Sequence, residues 1–154
     1  MPESPPINIE NIYNALRTAA KKYSKKEEVI NWKNRERWWK DNIEKLYKNI
    51  SKWCEPVKEI NISKYKISIQ ENNIGTYETE RLELSIGGAT FFFIPVATNI
   101  AGGKGRIDIL YNNSKNFLIL NDNSEWYLTD HSRNNIEILT KDTFLIFLKN
   151  KIGI

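Results

Sequence analysis

The chain carries two kinds of hydrophobic pattern, and the change from one to the other divides it into two parts. Between about residues 8 and 56, apolar residues recur every three or four positions, the spacing of helices with one buried face. Between about residues 59 and 139, they recur at every second position, as in strands that bury one face of a sheet. A helical pattern returns at about residues 141–151, where Thr140 is expected to be the N-cap.

Two helices are predicted in the first part, one over about residues 8–23 and one that begins at a capping box of Ser24 and Glu27. The second helix is long and amphipathic, and its apolar stripe consists of Trp39, Ile43, Leu46, Ile50 and Trp53. Its outer face is basic and carries Lys33, Arg37, Lys40, Lys48 and Lys52. Pro56 is expected to end the helix by about Glu55.

The second part predicts a mainly antiparallel sheet of five to seven strands, because the connections between the strand patterns are short. Gly87 and Gly88 separate two apolar runs and predict a tight hairpin. Residues 91–96 are almost continuously apolar, so this strand is expected to be covered on both faces, with pairing interrupted at Pro95. A slip in the alternation near residues 63–64 predicts a bend or a bulge. The fold class is therefore α+β, with two N-terminal helices, the sheet and a C-terminal helix.

Length and composition favour one cytoplasmic domain over residues 1–154. A chain of 154 residues can bury a substantial core. No apolar run approaches the ~20 residues of a membrane span, and the first ten residues lack the pattern of a signal peptide. The single cysteine, Cys54, cannot form an internal disulfide, which favours a reducing compartment. One cysteine and one histidine are too few for a zinc site, and no cofactor is expected.

The net charge of +4 is unevenly distributed. Residues 9–58 hold 13 Lys and Arg against 7 Asp and Glu, which leaves 10 against 12 in the rest of the chain. A basic helical half is typical of a protein that binds nucleic acid or an acidic partner, although solvated lysines explain it equally well.

Few residues suggest chemistry. Cys54 lies near the C-terminal end of a helix, where the helix dipole disfavours a thiolate. His131 lies in a polar loop without a recognisable nucleophile beside it. Five of the seven glycines fall between Gly87 and Gly105, and the loop before Gly105 does not match a phosphate-binding P-loop. Its main-chain amides, with Lys104 and Arg106, remain a candidate anion site, and a flexible connection is the alternative.

The strand of residues 105–110, followed by a hairpin and by residues 117–120, resembles part of the PD-(D/E)xK nuclease core. The resemblance implies a divalent metal held by a strand aspartate, here Asp108, and by a Glu-x-Lys on the next strand. Those positions fall on Asn121, Asp122 and Asn123, so the glutamate and the lysine are missing. Glu83 is the candidate for a second carboxylate. The implied functions are a metal-dependent hydrolase or a degenerate nuclease-like core used for binding, and the alternative is that Asp108 pairs with a neighbouring arginine.

The remaining surface signal is aromatic. Trp38 lies about 100° around the second helix from Trp39, which points it away from the apolar stripe and towards Arg35 and Arg37. Trp and Arg dominate the hot spots of protein interfaces, so these three residues are predicted to contact a partner protein. The alternative is that Trp38 packs under the first helix. We therefore expect a non-enzymatic interaction module, an accessory or adaptor subunit of a cytosolic prokaryotic assembly, with nucleic-acid binding as the alternative.

Overall fold

The computed structural model describes residues 8–23 and 30–154, which divide into two compact units, Met1–Asn31 and Trp32–Ile154. In the first unit, helix α1 is Ile9–Tyr23, and the Asn8 side chain accepts a hydrogen bond from the Asn11 amide at its start. The capping box predicted at Ser24 and Glu27 lies outside the described residues. That the whole chain forms one domain stays a prediction.

The second unit contains two helices and one sheet. Helix α2 is Trp32–Cys54 and helix α3 is Lys141–Ile152. The seven strands between them are β1 (Ile60–Glu71), β2 (Gly75–Ile86), β3 (Ala89–Ala97), β4 (Gly105–Tyr111), β5 (Ser114–Leu120), β6 (Trp126–Thr129) and β7 (Ile136–Ile138). Every strand pairs antiparallel with the strand that follows it, so the sheet is a meander in sequence order. The predicted α+β class is confirmed.

Both helices of this unit pack on the same face of the sheet, which we call the first face. The α2 stripe meets it through Trp39, whose ring lies 5.9 Å from that of Trp126. Helix α3 meets it through Phe144, 6.1 Å from Phe93. Thr140 caps α3 as predicted, and Thr143 completes a capping box with it. The buried first-face residues of the strands are Leu82, Leu84, Phe91, Phe93, Ile107, Ile109, Leu118, Leu120, Trp126 and Leu128.

Of the bend or bulge predicted near residues 63–64, the bulge is wrong. The register of β1 and β2 is unbroken from Ile60, opposite Ile86, to Glu71, opposite Gly75. Leu82 and Tyr77 are both buried, yet their positions in the strand point to opposite sides of the ladder. The two ends of this long hairpin therefore bury opposite faces. Tyr77 is buried at the far end of the hairpin, where its hydroxyl accepts a hydrogen bond from Trp39 Nε1 of α2.

Strand β3 departs from its prediction in one respect. Pairing with β2 ends at Phe93, and the register with β4 shifts between Pro95 and Ala97, so the predicted interruption at Pro95 is confirmed. The expectation that both faces are covered is wrong, because Phe92 and Ile94 lie on the face opposite α2 and α3 and are only half-buried. Around β3 and β4, no helix of the second unit lies on that face.

Candidate functional site

The predicted contact residues Arg35 and Trp38 are engaged within the second unit. The Arg35 guanidinium donates from Nε to Thr98 Oγ1 (2.8 Å) and from Nη2 to the Thr98 carbonyl (3.0 Å). Trp38 Nε1 donates to Ser124 Oγ (3.2 Å), and Arg35 Cζ lies 5.3 Å from the centroid of the Trp38 ring. Both side chains thus join α2 to two connections of the sheet, the β3–β4 loop and the β5–β6 turn.

Glu71 anchors the β3–β4 loop from the other side. Its Oε1 accepts hydrogen bonds from the amides of Thr98 (3.1 Å) and Asn99 (3.0 Å), and its Oε2 accepts one from the Tyr77 hydroxyl. Two amides of the candidate anion loop are therefore already bonded to a carboxylate of the same chain. The loop is held at both ends, because the Lys104 amide also donates to the Leu120 carbonyl (2.7 Å).

Burial governs the protonation of this region. Loss of solvent around Arg35 lowers the pKa of its guanidinium, an effect that the charges of Asp122 and Glu71 oppose. Burial, reinforced by the hydrogen bond to Glu71, raises the pKa of the Tyr77 hydroxyl. Burial likewise raises the pKa of the Cys54 thiol to about 11, so this cysteine is protonated near neutral pH. These shifts keep Tyr77 and Cys54 uncharged, and none of them produces a nucleophile.

The other predicted binding residues lie in different places. Arg37 is exposed on α2 and has no ion-pair or hydrogen-bond partner among the described residues. The ammonium of Lys104 lies 3.9 Å from Asp122 Oδ1, beside the β3–β4 loop. Arg106 lies on the opposite side of the sheet from α2, because β4 alternates and Gly105 faces Trp39.

Asp108 forms an ion-pair cluster on that side of the sheet. Its Oδ1 lies 2.9 Å from Arg106 Nε and its Oδ2 lies 3.6 Å from Lys115 Nζ. The contact with Arg106 is electrostatic, since its angles do not meet hydrogen-bond geometry. Arg106 Cζ also lies 5.0 Å from the centroid of the Phe117 ring. Asp108 is thus paired with a neighbouring arginine, which was the alternative to a metal-binding role.

The structure does not bring the nuclease-like residues together. Glu83 is on the same face as Asp108, but the register places them two strands apart, a separation of about 10 Å or more. Glu83 pairs instead with Arg81 (3.0 Å). Asn121 follows β5, four residues along from Phe117, the partner of Asp108, and its Oδ1 accepts hydrogen bonds from two amides of the β5–β6 turn. Among residues 8–23 and 30–154, no group of three or more His, Cys, Asp or Glu side chains could hold a metal ion.

The most distinctive surface is the face of the sheet opposite α2 and α3, which we call the second face. Its central residues Phe92, Ile94 and Leu110 are half-buried, and Ile136 and Ile138 at its edge are 60% and 51% exposed. Two cations of this face stack on its rings, Arg81 over Tyr65 (5.1 Å) and Arg106 over Phe117. The charged residues that the strand register places on this face are Glu71, Arg81, Glu83, Arg106, Asp108 and Lys115.

Sequence reasoning missed Glu71, Thr98 and the second face. No local signal identifies Glu71 or Thr98, because their partners are distant in the chain. The second face had a signal in the alternation of Arg106, Asp108 and Leu110, but alternation does not reveal which face the helices cover. Comparison with protein-family models, curated proteins and solved structures finds no significant match to this chain. No helix within the described residues is long and apolar enough to cross a membrane.

Proposed function

We propose that this protein is a non-enzymatic interaction module, an accessory or adaptor subunit of a cytoplasmic assembly, and that it binds its partner protein through the second face. The observation that carries the proposal is the apolar patch of Phe92, Ile94 and Leu110 on a sheet face on which no helix of its unit packs. An antiparallel sheet that faces water on one side ordinarily presents polar side chains there. Contiguous exposed apolar side chains are instead typical of protein-binding surfaces.

The charges on this face support a protein ligand. Arg81 and Arg106 are paired with carboxylates on the sheet and stack on aromatic rings, so each is held in a fixed orientation. Preorganised arginines beside aromatic and aliphatic side chains are the composition of interface hot spots. Arg106, which the sequence suggested for an anion site, is a contact residue in this proposal.

The test is capture of a partner with two matched variants. Leu110→Lys places a charge at the centre of the second face, opposite Phe92. Arg37→Glu reverses an exposed charge on α2, the helix that sequence reasoning selected. The tagged proteins are purified from native cells with nuclease treatment, after circular dichroism and thermal melting have shown that both variants fold. We expect a stoichiometric protein partner that is lost with Leu110→Lys and kept with Arg37→Glu. The opposite result moves the contact to α2, and the absence of any partner refutes the function.

Nucleic-acid binding by α2 is the second candidate. The exposed outer side of this helix carries Lys33, Arg37, Lys45, Lys48 and Lys52 against Asp41 and Glu44. Contacts with 6–10 phosphates make affinity fall by about 10³–10⁵ between 50 and 200 mM salt. A fluorescent oligonucleotide titrated at both salt concentrations tests this, and Arg37→Glu should weaken binding at low salt. Absent or salt-independent binding rules this candidate out.

A further inference from the structure

The second face ends at a strand whose outer backbone has no strand partner. Strand β7 is the last of the sheet and pairs only with β6. The ladder continues on either side of β7 through hydrogen bonds from Asp130 N to Asn135 O (3.3 Å) and from Leu139 N to Trp126 O (2.9 Å). Along an antiparallel ladder, hydrogen-bonded pairs alternate with pairs that are not hydrogen-bonded. Glu137 is therefore hydrogen-bonded to β6, and the backbone amides and carbonyls of Ile136 and Ile138 point away from β6. The Ile138 carbonyl already accepts a hydrogen bond from Thr143 Oγ1 (2.9 Å), so β7 offers the Ile136 amide and carbonyl and the Ile138 amide to a further strand.

The opposite edge of the sheet differs from β7. Strand β1 carries exposed Lys64 and Lys66, and lysines on an edge strand hinder pairing with another chain. Strand β7 instead exposes the apolar side chains of Ile136 and Ile138 on both sides of Glu137. Strand β7 is short and carries the charge of Glu137, but Glu137 points to the first face. On the second face, β7 presents only Ile136 and Ile138 to an added segment, so β7 is the edge at which an extended segment is expected to pair.

A cavity adjoins this edge on the second face. Its volume is about 260 Å³, and the residues that line it include Ile119, Tyr127, Thr129 and Ile136. The charged residue in its lining is Arg133, whose Nη1 donates to the Ala101 carbonyl (3.3 Å) and whose Cζ lies 5.7 Å from the Phe117 ring. No carboxylate of the described residues lies within 4.0 Å of this guanidinium. The cavity therefore combines an apolar interior with a positioned cation that has no counter-ion within the described chain.

We infer that β7 and this cavity bind an extended acidic segment of the partner protein, which joins the sheet as an eighth strand. Its backbone pairs with Ile136 and Ile138, a long apolar side chain enters the cavity over Ile136, and a neighbouring carboxylate binds Arg133. Strand addition derives affinity from main-chain hydrogen bonds and specificity from pockets for alternate side chains, and both elements are present here. The inference rests on the proposed function and specifies its ligand as an acidic, apolar peptide.

The probe is a displayed library of random twelve-residue peptides, followed by titration of one enriched synthetic peptide. Ile138→Pro removes an amide that points outward and leaves the β6–β7 ladder intact, and Ile138→Val is its matched control. We expect Ile138→Pro to weaken binding about tenfold through the loss of one backbone hydrogen bond, and Ile138→Val to leave it unchanged. Thermal melting verifies that the proline variant folds.

The second variant, Arg133→Gln, removes the charge of an exposed side chain and keeps a polar end group. We expect it to weaken an acidic peptide about 10- to 100-fold, the range for a charge-assisted hydrogen bond, and to leave the corresponding Gln or Asn peptide unaffected. Peptides that bind both variants as tightly as the wild-type chain bind elsewhere and overturn the inference. A library that yields no apolar, acidic sequence also overturns it, as does a homodimer that Ile138→Pro dissociates, because the occupant is then a second copy.

These outcomes are distinguishable from failure of the proposed function. A native partner that is lost with Leu110→Lys but captured normally by Ile138→Pro and Arg133→Gln leaves the interaction module standing and refutes the β7 site. The absence of any native partner refutes the interaction module itself, whatever the peptides do.

Discussion

Adding one methyl group at Gly105 should destabilise the protein, because the backbone of β4 lies directly against the indole of Trp39. A Cβ at this position would lie 2.2 Å from Trp39 Cζ3, 2.6 Å from Cε3 and 2.9 Å from Cη2. Ordinary contacts between carbon atoms are about 3.5–4.0 Å, so the ring must move by more than 1 Å. Trp39 is fully buried, and its Nε1 donates to the Tyr77 hydroxyl (3.1 Å), so it has no free space to enter.

Three contributions set the magnitude for Gly105→Ala. Overpacking a buried site costs about 1–3 kcal/mol. Loss of the Trp39–Tyr77 hydrogen bond costs about 1 kcal/mol more. Replacing glycine by alanine lowers the conformational entropy of the unfolded chain, which stabilises the protein by about 0.4–1 kcal/mol. The free energy of unfolding is therefore expected to fall by about 1–3.5 kcal/mol.

Urea denaturation followed by circular dichroism measures this change. The matched control is Gly88→Ala, since a Cβ at Gly88 meets no atom within 4 Å and should change the stability little. Trp39→Phe lacks the outer ring atoms that the new methyl group meets, so in this background Gly105→Ala should cost at least about 1 kcal/mol less. If Gly105→Ala is as stable as the wild-type protein to within about 0.5 kcal/mol, the packing of α2 against β4 described above is wrong.

Three further predictions follow from single contacts. Glu71→Gln should lower the free energy of unfolding by about 1.5–3 kcal/mol, because the Thr98 and Asn99 amides both donate to the Glu71 carboxylate. Hydrogen exchange at these two amides should become faster, and exchange as slow as in the wild-type chain would contradict this. Thr140→Ala should cost about 1 kcal/mol in thermal or urea unfolding through loss of the α3 cap, whereas Ser51→Ala on exposed α2 should cost nothing. The raised pKa of Cys54, about 11, means that the folded state holds its thiol proton more tightly than the unfolded state does. The resulting stability is present below about pH 9 and is lost as the pH rises towards 11. Iodoacetamide at pH 8.5 should therefore label Cys54 slowly in the native protein and rapidly in urea, and equal rates would refute the shift.

The elements of this protein were predictable because local signals specify them. The step of three and four residues from Trp39 to Ile50 gave the buried side of α2, and Gly87 with Gly88 gave the β2–β3 hairpin. Thr140 was recognisable as a cap from its own neighbourhood. Period and turn chemistry act over a few residues, so they can be read without knowledge of the fold.

The error near residues 63–64 has a definite origin. An inserted residue is one way to change the phase of alternation, but β1 and β2 change phase together with their register intact. Strands twist, so the far end of a long hairpin can bury the face that its near end exposes. Which side is buried at each end depends on what packs there, and Tyr77 is buried because it meets α2 through Trp39.

For Arg35 and Trp38, the sequence predicted the position on α2 but not the contacts of the side chains. The helical periodicity correctly put them beside the main stripe of α2, and an exposed position was inferred from that. In the fold, the β3–β4 loop and the β5–β6 turn come back to this side of the helix, and Thr98 and Ser124 bond to the two side chains. A sequence pattern describes one helix and contains nothing about the loops that pack against it.

By itself, the sequence determined the α+β class, the order of the elements, the apolar side of α2 and the residues that alternate along each strand. Only the tertiary structure decided that Glu71 holds the β3–β4 loop, that Asp108 pairs with Arg106 and Lys115, and that both helices of the second unit leave the same face of the sheet open. The physical reason is the range of the interactions. Periodicity, caps and turns depend on neighbours along the chain, whereas ion pairs and covered faces depend on residues that only folding brings together.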